Sequence, residues 1–137
     1  MDHKKLKKML IEHEGIKYAP YKCTAGKTTI GIGHNLDDKG VSKAVVNMMY
    51  EEDAAEVEAD LKAIFDDFDT LPDQIQLVLA DMRFQLGYRG FRSFKRMINA
   101  VKNRNWPTMF IQMKNSNWHS QTPKRANDLL NMVLEVA

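Results

Sequence analysis

At 137 residues the chain suits one compact domain, or two small lobes sharing a helix, and excludes a multidomain assembly. Its 44% hydrophobic and 28% charged residues exclude a disordered polymer, and the single cysteine, Cys23, excludes an intramolecular disulfide. The net charge of +2 conceals an asymmetry: residues 51–73 carry ten acids against one lysine, whereas residues 88–137 carry nine Lys/Arg against two acids. A basic carboxy-terminal half suits a polyanionic partner, or is simply a solvated helical surface.

Taken in chain order, the amino terminus Met1-Asp2-His3-Lys4-Lys5-Leu6 places charges where the apolar stretch of a secretory signal would stand, so no signal is expected. No segment approaches the roughly 18 apolar residues needed to span a bilayer. Leu6, Met9, Leu10 and His13 fall at helical spacing and predict a first helix over about 3–13, which Gly15 is placed to end. From Tyr18 to Ile32, Tyr, Thr and Ile mix with Pro20, Gly26 and Gly31, which predicts short strands and tight turns.

Ser42 reads as an N-cap. Behind it Tyr50, Ala54, Val57, Leu61 and Ile64 recur at spacings of four and three, predicting a helix over about 43–65. Pro72 opens the next helix and Gly87 is expected to end it; the segment between is apolar nearly all round, the mark of a core helix. Ser93 is expected to cap another helix reaching about Asn103. Trp106-Pro107 starts one more, and Thr122-Pro123 supplies an N-cap and an N1 proline for the last. The expected fold class is α+β and mostly helical, with one small sheet near the amino end. The nine methionines are expected to fill core space.

The chemistry concentrates in residues 14–34. Glu14 ends a helix; eight residues separate it from Cys23, five more separate Cys23 from Thr29, and Ile30-Gly31-Ile32-Gly33-His34 follows. Cleavage of a glycosidic bond needs a proton donor to the leaving oxygen and a group on the opposite face to hold or activate water. Glu14, its pKa raised by partial burial, suits the first role, and Cys23 with Thr29, brought together by a hairpin, suits the second. His13, beside Glu14, has no second histidine at helical spacing, and His3, His34 and His119 are scattered, so no metal is expected. Gly31-Ile32-Gly33 is too short for a phosphate-binding loop. Trp106 and Trp118 read as core residues before sugar platforms.

The spaced Glu14–Cys23–Thr29 triplet followed by Ile30-Gly31-Ile32-Gly33-His34 resembles the phage-type lysozymes (endolysins), glycoside hydrolase family 24. The second half matches too, through Arg83-Phe84-Gln85-Leu86-Gly87, Phe94, Trp106, Trp118, Gln121-Thr122-Pro123, Arg125 and Ala126. The resemblance implies one lysozyme-like domain with a small sheet-containing lobe (about 14–50 plus the first helix), a connecting helix (about 43–65) and a helical lobe (about 70–137). It implies a muramidase that cuts the β-1,4 bond between N-acetylmuramic acid and N-acetylglucosamine of peptidoglycan glycan strands, inverting the anomeric centre.

By position the resemblance makes Glu14 the general acid, places Cys23 where a carboxylate commonly stands, and has Thr29 help to hold the attacking water. Phe84, Gln85, Thr122 and Arg125 would line the far wall, and His34 would pair with Asp53 as a structural ion pair. It implies no cofactor, no metal, no nucleic acid and no stable membrane insertion. It further implies a monomer that waits in the host bacterial cytoplasm until a holin opens the membrane, for host cell lysis. Cys23 and Ala25 both depart from the best-known pattern, and the loop after His34 and the carboxy end are shorter. A thiol is a poorer base than a carboxylate unless its pKa is lowered, and a nearby general acid is expected to raise it. Two alternatives stay open: a Cys23–His34 thiol hydrolase, and a catalytically inactive lysozyme-like module that binds peptidoglycan.

Overall fold

The computed structural model describes residues 1–137. The chain divides into two compact units, residues 1–49 and 50–137, and the boundary falls inside one continuous helix.

The first unit opens with α1 (His3–Glu14), whose N-terminus is closed by the Asp2 carboxylate accepting from the Lys5 amide at 3.0 Å. Gly15 ends α1 as expected: its φ of 76° is open to glycine, and its N–H reaches the Ile11 carbonyl. A three-stranded antiparallel sheet follows in the order β1 (Lys17–Lys22), β2 (Thr28–Gly31), β3 (His34–Asn35). Lys17 pairs with Gly31 but Tyr21 with Thr29, so β1 carries extra residues in between. Pro20 sits in that stretch, and a residue without an N–H is tolerated there because β1 is an edge strand.

A four-residue helix, α2 (Leu36–Lys39), comes next, capped by the Asn35 side chain accepting from the Asp38 amide at 3.0 Å. Periodicity gave no sign of it, because a single turn is too short to show a period. Ser42 then begins α3 (Lys43–Ile64) and accepts from the Val45 amide at 3.3 Å, as the sequence predicts. The first unit buries a single residue, Thr29.

The second unit holds the whole apolar core. The last turns of α3 contribute Val57 and Leu61, and a 3-10 turn at Phe68–Thr70 contributes Phe68. Then come α4 (Asp73–Arg92), α5 (Lys95–Lys102), α6 (Trp106–Lys114), α7 (Asn117–Gln121) and α8 (Pro123–Leu134). Gly87 ends the first helical segment of α4 as expected, its φ of 76° breaking the path, and a second, short helical segment follows it to Arg92. Ser93 is therefore the end of α4 and donates to the Gly90 carbonyl at 2.6 Å; it caps nothing ahead of it. α4 is also less uniformly apolar than its sequence suggests, with Leu77 and Phe84 exposed and Arg83 buried.

That buried arginine is explained by its partners. Arg83 Nε donates to Asp60 at 2.6 Å, and Asp60 also takes a two-pronged hydrogen bond from Arg92, whose guanidinium lies 3.5 Å from the Tyr88 ring centre. Hydrogen bonds from Arg92 and then Arg83 hold the Asp60 carboxyl below its ordinary pKa, outweighing the partial burial that would raise it. Four of the nine methionines (Met82, Met97, Met109 and Met113) are buried, so only part of that set fills the core.

Candidate active site

In the first unit the residues singled out from the sequence converge on one sheet and the helix end beside it. Cys23 begins the turn between β1 and β2. Its N–H donates to the Lys27 carbonyl at 2.9 Å and its carbonyl accepts from Gly26 at 2.8 Å, so Cys23, Lys27 and the strand pair Lys22–Thr28 form a closed hairpin. Gly26 at φ 78° allows the turn. Thr29, on the central strand, is buried, and its hydroxyl donates to the Lys27 carbonyl at 2.9 Å.

The thiol sits half-buried at this turn. Amide hydrogen bonds from Lys27 and then Ala25 hold its pKa below the ordinary thiol range; partial desolvation opposes them, and the Thr29 hydroxyl adds to them. The expectation that a nearby general acid would raise this pKa is thus corrected: hydrogen-bond donors at the turn decide the direction. The Thr29 hydroxyl has one proton and two acceptors in reach, the Lys27 carbonyl and the sulfur. Ionising the sulfur would favour turning that proton toward it.

The turn is pinned from its far side. Asp37 accepts from the Thr28 amide at 2.7 Å, and Lys27 Nζ reaches Asp38 at 3.1 Å. The Thr28 amide, followed by the charges of Lys22 and Lys27, lowers the Asp37 pKa. Sequence reading missed Asp37 and Asp38, whose only signal was two acids following the Asn35 cap.

Glu14 is the last residue of α1 and is exposed, so the partial burial expected of it is not found. Its side chain lies against the backbone of Gly33. The His34 ring nitrogen Nε2 is 2.6 Å from the Gly40 carbonyl and is occupied there. Asp53, the expected partner of His34, lies in the second unit.

The second unit gathers the other four residues. Phe84 is half-exposed and shares a cavity of about 630 Å³ with Tyr50, Leu77, Asp81 and Arg125. Arg125 Nε donates to Asp81 at 2.7 Å, which fixes its guanidinium at the rim. Gln85 and Thr122 meet at a residue taken from sequence as core: buried Trp118 donates its indole N–H to Gln85 Oε1 at 2.8 Å, and its carbonyl accepts from the Thr122 hydroxyl at 2.9 Å. A buried indole N–H needs an acceptor, and that requirement was the signal tying Trp118 to Gln85. Thr122 stands at the start of α8, but its hydroxyl turns back to Trp118 and does not cap the helix.

Comparison with known proteins bears on the family. The phage lysozyme family model matches residues 11–131. The chain is 29% identical to "Probable T4-type lysozyme 2" of Dictyostelium discoideum, over 93% of this chain and 92% of that protein. It is 30% identical to "Peptidoglycan hydrolase gp36" of Pseudomonas phage phiKMV, over 88% of this chain but 14% of that protein. It is also 26% identical to "Pre-baseplate central spike protein Gp5" of Enterobacteria phage T4, over 92% of this chain and 27% of that protein. No helix is long and apolar enough to cross a membrane. With a match running from the end of α1 into α8, the chain belongs to the phage lysozyme family and is a lysozyme-type hydrolase.

Proposed function

We propose that this hydrolase cleaves the β-1,4 bond between N-acetylmuramic acid and N-acetylglucosamine in peptidoglycan glycan strands, with inversion. Glu14, in its acid form, gives its proton to the glycosidic oxygen as the bond to the anomeric carbon breaks. A water held by Thr29 and Cys23 attacks that carbon from the opposite face, and its proton passes to the Cys23 thiolate.

The observation that carries this reading is the surroundings of Cys23: backbone amides of the turn and the Thr29 hydroxyl stabilise negative charge on sulfur, which favours the thiolate, the only form of the side chain that can take a proton from water. Phe84, Gln85, Thr122 and Arg125 are assigned to binding the glycan, and His34 with Asp53 to an ion pair that braces the fold. The likeness to a phage protein named as a peptidoglycan hydrolase supports the choice of substrate. By the same family resemblance the protein acts as a monomer, held in the host cytoplasm until a holin releases it to lyse the cell.

Mass spectrometry of peptidoglycan after digestion tests the reading. Muropeptides ending in reducing N-acetylmuramic acid are expected, and Glu14→Gln is expected to lose roughly 10²–10⁴-fold in rate, the usual share of a general acid. Cleaved stem peptides would sink the muramidase reading, and a folded protein that binds wall without products would replace it with a binding module. Cys23→Asp should keep or raise activity, because a carboxylate at the same turn receives the same donors; a dead, folded Cys23→Asp would contradict a role shared by thiolate and carboxylate.

A further inference from the structure

We propose that Gly33 is a positioning residue for Glu14, its bare Cα forming the wall that sets where the carboxyl group points. The inference rests on the reading of Glu14 as the general acid. Within its own unit the Glu14 carboxylate makes no hydrogen bond and no ion pair, so polar tethers do not orient it there. Steric contact does. A β-carbon built on Gly33 would lie 3.0 Å from Glu14 Cγ, 3.1 Å from Oε2 and 3.2 Å from Cβ, all inside normal contact distance.

The wall is stiff. Gly33 lies in the turn between β2 and β3, directly inside the paired residues Ile30 and His34, and the His34 ring is tied to the Gly40 carbonyl at 2.6 Å. A side chain at 33 would therefore push Glu14 rather than yield to it. A carboxyl displaced by an ångström delivers its proton poorly, because general-acid catalysis depends on a short, aligned donor.

The same turn supplies its own control. Gly33 has φ +63° and Gly31 has φ +69°, so alanine is strained at both, yet a β-carbon on Gly31 meets nothing within 4 Å. Backbone strain is thus common to the two positions, and the close approach to Glu14 belongs to Gly33 alone.

The experiment compares Gly33→Ala, Gly31→Ala and Glu14→Gln by peptidoglycan hydrolysis, by carbon-13 titration of the Glu14 carboxyl, and by thermal midpoint. Both alanine variants should lose thermal stability. Gly33→Ala should also lose about tenfold or more in kcat with KM within about twofold, and should move the Glu14 titration; Gly31→Ala should do neither. If Glu14→Gln is inactive while Gly33→Ala matches Gly31→Ala in kcat and titration, Gly33 has no positioning role and the acid assignment stands. If Glu14→Gln stays active, the acid assignment itself fails.

Should Gly33→Ala fold too poorly to assay, Glu14→Ala is added to each glycine variant. The proposal expects the truncated side chain to recover thermal midpoint beside Ala at 33 and not beside Ala at 31. Equal effects in both backgrounds would overturn it.

Discussion

The two units are built on opposite terms. Residues 50–137 contain all twenty buried hydrophobic residues, whereas residues 1–49 bury only Thr29 and are held by local hydrogen bonds: the Asp2 cap, the Cys23–Lys27 turn, the Asp37–Thr28 contact and the Asn35 cap. The proposed proton donor and water-holding groups lie in the thinly packed unit. A site made of turns and a helix end can set thiol and hydroxyl geometry with a few directional bonds, while burial in the other unit supplies the bulk of folding free energy. Chemistry and stability should therefore respond to different substitutions.

The largest separation expected is at the core. Leu79→Ala, at a site with no exposure, should cost about 2–5 kcal/mol in denaturant unfolding. It should leave kcat near the parent value at temperatures where the protein is folded. A large loss of kcat in the folded variant would break the comparison.

The Asp60 network comes next. Asp60→Asn leaves the buried Arg83 without its carboxylate, and the partly exposed Arg92 moderates the loss to about 2–3 kcal/mol. The pH dependence follows from the direction of the shift. Because the folded state holds the Asp60 carboxyl below its ordinary pKa, its contribution is complete above about pH 4 and disappears as pH falls through the lower folded-state value. Thermal melts between about pH 2 and 6 should show a shallower acid limb in Asp60→Asn. Asp37 has the same sign, so Asp37→Asn should weaken acid sensitivity in the first unit, read by amide exchange at Thr28. The smallest effect is expected from Ser42→Ala, which removes an exposed cap bond of 3.3 Å and should cost about 0.5 kcal/mol.

What could be read from sequence divides along similar lines. Gly15, Ser42, Trp106-Pro107 and Thr122-Pro123 mark helix boundaries by chemistry confined to a few adjacent residues, and the helices begin or end there. Glu14, Cys23 and Thr29 were legible because their spacing is a family pattern. Less legible were features that depend on residues far apart in sequence. Ser93 looked like a cap until its hydroxyl proved to turn back to the Gly90 carbonyl, and the segment after Pro72 looked apolar nearly all round until Arg83 within it proved to be buried against Asp60 on α3. α2 and α7 span four and five residues, too few for any period to show. The Trp118–Gln85 bond and the Gly33–Glu14 approach bring together residues from different elements, and no local pattern announces either one.

Trp118, whose indole donates to Gln85, and Trp106 on α6 are the only tryptophans, and both lie in the well-packed unit; the only thiol, Cys23, lies in the other. Nature has thus sorted two spectroscopic handles. Intrinsic tryptophan emission will watch the helical unit alone, and a dye on Cys23 will watch the turn between β1 and β2 alone. Two-colour melting can then ask whether one helix shared at Met49–Tyr50 makes the halves lose structure together.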